Sequence, residues 1–306
     1  MAATTTTAAE VIRPIVREGY TEAVYRNSSL VPIFLAAQGG TPRPSGGDTS
    51  RRWKVNSVGN DSAETYSEGG VAPASGEQTW VSAAVAYTHF RIMVEITGHL
   101  RAALQSDQGY VNALAEEFAL GQRDIVDLIN TTYMSGTNGM ETAVDSTTAY
   151  AGITRGAATY WESAETAVSG ALAVTDLEDL VETMLDNDRG ASAEYMRWFL
   201  PYNQATNIYR LTGTPAQQMI SDGDKAPAFL RQTFGGIPMS PLGDFTNTVI
   251  VLADLAPGMW EVVEHEGFMV HEQGRTSDAD LSMVTYRGGL VCLDPKLQGK
   301  LTGVTA

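Results

Sequence analysis

The sequence has one cysteine, four histidines, and only 20 lysines and arginines against 36 aspartates and glutamates. A single thiol, Cys292, excludes an intramolecular disulfide framework. Its setting, Gly289-Leu290-Val291-Cys292-Leu293, reads as that of a small buried core residue rather than a nucleophile. No apolar run reaches the length of a membrane span, so no spanning helix is expected. The opening Met-Ala-Ala-Thr-Thr-Thr-Thr lacks the basic and apolar regions of a secretory signal, so synthesis and assembly in the cytoplasm are expected. The phosphate-cradling patterns Gly-x-Gly-x-x-Gly and Gly-x-x-x-x-Gly-Lys-Ser/Thr are absent, as is the Gly-x-Ser-x-Gly nucleophile elbow. With a net charge of −16 and no basic tail, the chain is not built to grip duplex DNA.

What is present is a chain of 306 residues, 43% hydrophobic and 18% charged. That length supports one large or two ordinary domains with a sizeable core. Thin charge suits a protein whose surface is covered by neighbours, since interface cores are depleted of charge. It equally suits a chain rich in small polar residues. The charge is unevenly placed: residues 1–110 carry 9 bases and 10 acids, whereas residues 111–306 carry 11 bases and 26 acids. Arg43, Arg51, Arg52 and Lys54 cluster in the first part. A basic extension and an acidic body would attract each other between subunits; the alternative is a chance cluster on a solvated loop.

Residues 1–9 are Ala/Thr-rich and expected to be mobile, and 10–26 carry a short helical pattern. Ser28 to Phe34 reads as an extended apolar segment, because Pro32 is unsuited to a helix interior. Two strand-like runs, Arg52 to Val58 and Trp80 to Thr97, flank a polar stretch, 59–79, that has too few apolar residues to build a core. They predict two long strands joined by a tip of about twenty residues, a length uncommon inside a compact domain. The clearest helix spans 107–135, started by Ser106 or Asp107 and stopped by Ser135-Gly136. Its apolar positions are Val111, Leu114, Phe118, Ile125, Leu128, Ile129 and Tyr133, while Glu116 and Glu117 fall on a solvated or interface face. A second helix is expected from Thr175, with Thr175-Asp-Leu-Glu178 as a capping box, and a third from Pro201 to about Leu211. A buried strand is read at 195–200. Further strands follow at 234–239, 247–253, 260–263, 267–272, 281–287, 289–293 and 300–304. Helices in the middle and strands collected late define an α+β class.

Chemistry finds few candidates. His265 and His271 are an even number apart and share a strand face with Glu264, Glu266 and Glu272 nearby, which keeps a metal-dependent enzyme open as a minor reading. Asp278 and Asp280 read as a polar hairpin tip. No catalytic residue, cofactor site or metal site is assigned.

The order of parts, with the phrases Gly152-Ile153-Thr154-Arg155, Phe234-Gly-Gly-Ile-Pro238 and Tyr286-Arg-Gly-Gly-Leu-Val-Cys-Leu-Asp-Pro295, resembles tailed-phage major capsid proteins of the Hong Kong 97 type fold. The resemblance implies an N-terminal arm over residues 1–45 and an extended loop over 46–97. It implies a peripheral domain from 98–149 and 263–287 around the 107–135 spine helix, and an axial domain from 150–262 and 288–306. It implies hexamers and pentamers of the chain in an icosahedral shell. That shell encloses double-stranded DNA without sequence-specific binding, inside a virion assembled in the host cytoplasm. The candidate inter-subunit contacts, from the basic cluster and the acidic helix face, are Arg43, Arg51, Arg52, Trp53, Lys54, Glu116 and Glu117. A separate scaffolding protein, a portal protein and decoration proteins are the other implied partners. Lys54, the one lysine in residues 1–224, lies at the loop base, so no lysine crosslink between subunits is expected. An encapsulin-like compartment is the nearest alternative.

Overall fold

In the computed structural model, which describes residues 30–59, 62, 65, 76–97, 107–156, 158–186, 193–212, 233–243, 245–276 and 279–305, helices fill the middle of the chain and strands its end. In chain order the elements are α1 (Val31–Gln38), β1 (Arg43–Pro44), β2 (Ser50–Val58), β3 (Thr79–Ala86), β4 (Thr88–Thr97), α2 (Asp107–Ser135), α3 (Met140–Ala143), β5 (Ala164–Ala171), α4 (Val174–Leu185), β6 (Met196–Pro201) and α5 (Tyr202–Thr212). Then come β7 (Thr233–Phe234), β8 (Ile237–Leu242), β9 (Ile250–Asp254), β10 (Trp260–Thr276), β11 (Ala279–Cys292) and β12 (Gly299–Thr305). The helical pattern at 10–26, the capping Ser106, the side chain of Asp280, and most of the tip between β2 and β3 lie outside the described residues. The class is α+β, as the sequence predicts.

One compact unit comprises Met1–Thr49, Ala86–Met140 and Trp260–Val291. Its sheet has the order β1-β10-β11-β4, with β11 antiparallel to β4 from Ala279 opposite Thr97 to Gly288 opposite Thr88. Helix α2 packs on β4, where Tyr133 meets Phe90 edge-on at 6.1 Å between ring centres. Phe118, Ile125, Ile129 and Tyr133 are buried on that side as expected, but Leu128 is 49% exposed. From Ile125 the buried row steps by four residues, and Leu128 stands roughly 100° around the axis from Ile129.

The segment before this sheet corrects the reading of Pro32. Residues 31–38 are helical, not extended: Pro32 sits in the first turn, where no backbone donor is needed. Gly39, at φ +101°, ends the helix in a left-handed conformation. Gln38 then mimics a strand partner, since its amide donates to Val262 O at 3.2 Å and its carbonyl accepts from Val262 N at 2.6 Å. β1 continues that pairing, running parallel to β10 with Arg43 opposite Val263. Phe34 packs on Trp260 with ring centres 5.1 Å apart. Residues 31–45 therefore form a strap along β10.

The other unit comprises Ser50–Val85, Glu141–Met259 and Cys292–Ala306. Its main sheet has the order β5-β12-β9-β6-β8-β7. Leu177, Leu180 and Met184 of α4 and Ala205 and Ile208 of α5 join Trp198, Leu200, Ile250, Leu252, Leu301 and Val304 in one buried cluster. The expected capping box is displaced: α4 begins at Val174, and Asp176, not Glu178, accepts from the backbone N–H of Ala173 at 2.8 Å. Ala173 has no side-chain acceptor, so only half of a box exists. Pro201 ends β6 instead of opening α5, paired with Leu242 at the edge of the ladder.

β2 and β3 form a separate two-stranded sheet. The single long strand expected over 80–97 is interrupted at Tyr87, and its second half, β4, joins the four-stranded sheet. Conversely, the breaks expected at 264–266 and at Gly288 do not occur, and β10 and β11 run through as strands of 17 and 14 residues. At Gly288 the missing side chain matters, because a Cβ there would lie 2.8 Å from Val263 O.

Candidate functional site

Among the described residues His265 and His271 do not form a centre. His265 Nδ1 lies 2.8 Å from Ser45 Oγ, and its ring stacks on Tyr87 at 5.6 Å. His271 is exposed, with Nε2 3.2 Å from Thr285 Oγ1. Six residues of strand separate the two by roughly 20 Å. Among the described residues no three of His, Cys, Asp and Glu come together as a metal site needs.

Cys292 is fully buried, and burial pushes its thiol well up, away from the reactive thiolate. Its backbone N–H donates to the Tyr150 hydroxyl at 2.8 Å. The phrase Gly152-Ile-Thr-Arg155 belongs to a turn in which Tyr150 and Ile153 bond each other, with Ala151 at φ +54° and Gly152 at φ +79°. The turn wraps the buried Arg155, whose guanidinium lies 5.5 Å from the centre of the Tyr150 ring and donates to Ala143 O. Lys300, 6% exposed, reaches Asp145 at 2.9 Å and also donates to Glu141 O. Burial alone would raise the Asp145 carboxyl. The N–H of Thr148, Lys300, and the N–H and hydroxyl of Thr147 outweigh it and hold the group well below the ordinary carboxylate range. These polar groups hold loops to the sheet; they are not arranged as a nucleophile with a base.

The features left over are surfaces. The β2–β3 ladder alternates along each strand: Arg52, Lys54, Asn56 and Val58 are exposed with Trp80, Ser82, Ala84 and Ala86, while Ala83 and Val85 are buried. Trp53 points the other way and fixes the ladder base, its indole N–H donating to Leu293 O at 3.1 Å and its ring 6.1 Å from that of Trp161. Ala84 N–H adds a bond to Ala151 O at 2.9 Å. Arg51 is half-buried and donates to Arg52 O at 3.3 Å; Arg52 donates to Ser50 Oγ at 3.2 Å. Arg43 lies in the other unit and pairs with Glu261, a carboxylate only 4% exposed. Glu116 is exposed and Glu117 half-buried on α2. The basic cluster is thus divided: Arg43 lies on the strap with its side chain 53% exposed, and Arg52 and Lys54 face outward from the ladder.

Three apolar features escaped the sequence reading. Trp80 and Val58 are each 55% exposed at the ladder. Met93 is exposed directly opposite Met283 on the four-stranded sheet. Alternation from Trp80 onward was the available signal for the first, since it places Trp80 opposite in sense to the buried Ala83 and Val85.

A family model described as SU10 major capsid protein matches residues 2–305. The chain belongs to the SU10 major capsid protein family. No curated protein matches the sequence. Among solved structures, the capsid protein is similar to the cyanophage A-1(L) capsid asymmetric unit, with TM-score 0.67 and 13% identity over 91% of this chain and 94% of that one. It is similar to the capsid of an empty GTA particle, with TM-score 0.59 and 15% identity over 88% and 90%. It is also similar to the holo-SrpI encapsulin complex from Synechococcus elongatus PCC 7942, with TM-score 0.57 and 13% identity over 89% and 88%. The fold is the Hong Kong 97 type capsid fold. The capsid protein is a structural subunit of a phage head shell, assembling with copies of itself in the virion capsid.

Proposed function

We propose that the capsid protein tiles an icosahedral head as hexamers and pentamers around double-stranded DNA, in the host cytoplasm, with a separate scaffolding protein, a portal protein and decoration proteins as partners. Residues 1–45 serve as an arm, held by 31–45 along β10 of its own subunit and reaching neighbours with the residues before them, and 46–97 as the extended loop. Residues 98–149 and 263–287 serve as the peripheral domain, and 150–262 with 288–306 as the axial domain. The carrying observation is the ladder: its outward face combines Arg52 and Lys54 with Val58 and Trp80, each of the latter 55% exposed. A large exposed aromatic beside bases is the composition of an interface anchor, not of a solvated loop. Arg43, Arg51, Trp53, Glu116 and Glu117 complete the contact set, Trp53 by holding the ladder at its base. The acidic balance of the chain suits a container that must release its DNA.

The test is negative-stain microscopy of particles formed by the full chain. Closed shells tens of nanometres across are expected, with nuclease-protected DNA inside. The similarity to an encapsulin makes the second reading specific: enzyme-filled shells without nucleic acid would support a cargo compartment. A chain that forms no shells, even with its scaffolding protein, would overturn both.

A further inference from the structure

Helix α4 carries Asp176, Glu178, Asp179 and Glu182 and has no lysine or arginine. Its C-terminal end already bears the negative pole of the helix dipole, and Glu182 adds to it in the last turn. Beside these carboxylates opens a groove of about 1110 Å³, floored by Val181 and Leu185 of α4, Leu211 of α5 and Phe234 of β7. Leu185 and Leu211 are each 43% exposed. Among the described residues Glu178, Asp179 and Glu182 pair with no base. An acidic wall over an apolar floor calls for an occupant that is basic and apolar together.

We propose that this groove receives the β2–β3 ladder of a second copy of the chain, Arg52 and Lys54 of one copy lying against Glu178 and Glu182 of the next. This rests on the head-shell reading and specifies which surfaces meet. The ladder offers both properties on one face, with Arg52 and Lys54 in line with exposed Val58 and, across the strand pair, Trp80. The spacings agree: residues two apart on a strand are about 6.8 Å apart, and residues four apart on a helix rise about 6 Å. Helix α2 fits less well, because Arg123 stands among its exposed acids Glu116, Asp124 and Asp127 and would repel the ladder. Among the described residues the ladder packs on the turn at 159–161, whereas α4 packs on β5 and β12. Two different patches that meet between copies make a head-to-tail interface, the kind that closes into rings.

Carbodiimide coupling tests the pairing, since it joins a lysine amine to a carboxylate already in contact with it. Particles are assembled from equal amounts of unlabelled and nitrogen-15-labelled full-length chain. The expected product is a Lys54 peptide joined to the α4 peptide containing Glu178 and Glu182, with mixed-label pairs showing that the link is between copies. Lys54→Arg keeps the charge; it should preserve the shells and abolish the link. Arg52→Glu with Lys54→Glu should leave a monomer with unchanged circular dichroism and lower the shell yield at least about tenfold. Glu178→Lys with Glu182→Lys in the same chain should restore it. Wild-type shells in which Lys54 links to other carboxylates, or reversed-charge ladders that assemble normally, would overturn the pairing and leave the head-shell reading standing. A wild-type chain that makes no shells overturns both.

Discussion

At the scale of single residues, the buried polar groups set the pH response. The Asp145 carboxyl is held below its unfolded-state value of 3.8, so its contribution to stability is complete above that pH and is lost as pH falls through and below it. Asp145→Ala strands Lys300 inside the fold and is expected to cost about 2 kcal/mol. The figure is set below that of a fully buried pair because the aspartate side chain is 20% exposed. Chemical denaturation at pH 7 and pH 3 measures it, and the gap between variant and wild type should narrow at pH 3. Cys292 makes a second residue-scale prediction. With the thiol sealed in the core, iodoacetamide should leave native particles unmodified and label one site per chain in guanidinium. Cys292 was legible because its apolar neighbours are contiguous in sequence. The roles of Arg155 and Lys300 were not, since their partners Ala143 and Asp145 reach them only after the chain has folded back.

At the scale of elements, β12 shows how one position controls a strand. Between Thr302 and Val304 the pairing with β5 shifts register, and Gly303 sits there at φ +71° with Val168 O 2.7 Å from where a Cβ would be. Any side chain meets both a left-handed backbone and a carbonyl. Gly303→Val is expected to cost about 2 kcal/mol or more, read as a lowered midpoint of thermal unfolding. The helices were legible where periodicity was long: α2 spans the residues its pattern predicts. Boundaries set by tertiary pairing were not. Proline rules misplace Pro32 and Pro201 because both a first helical turn and a strand end dispense with its missing donor. The break at Tyr87 was hidden because residues on both sides of it alternate alike, although the two halves pair in different sheets.

At the scale of the whole molecule, the polar stretch that joins the two strands of the ladder should be dispensable for folding and necessary for assembly. Deleting residues 59–79 is expected to leave the subunit monomeric and folded by circular dichroism while shell formation fails, because the Trp53 and Ala84 anchors lie outside the deletion. Mature shells boiled in detergent should run as single chains, since Lys54 lies on the described ladder face well before its tip; a ladder of higher bands would contradict this. The capsid class was legible from the order of parts. The surfaces that would bind neighbours were only half legible, since Arg52 and Lys54 announce themselves by charge, whereas Trp80 and the α4 groove take meaning only once exposure is known.

The place of β12 also constrains the order in which a subunit is made. It is the latest described strand in sequence, yet it lies between β5 and β9, inside the sheet. While a ribosome still holds residues 299–305, β5 and β9 have no common neighbour, and the hydrophobic face shared by α4 and α5 is incompletely closed. Nascent chains would therefore wait, partly folded, until that strand emerges. Abortive fragments lacking it would fail to fold and become substrates for proteases. A head built from many copies would in this way be screened against prematurely terminated subunits before any of them reached the growing lattice.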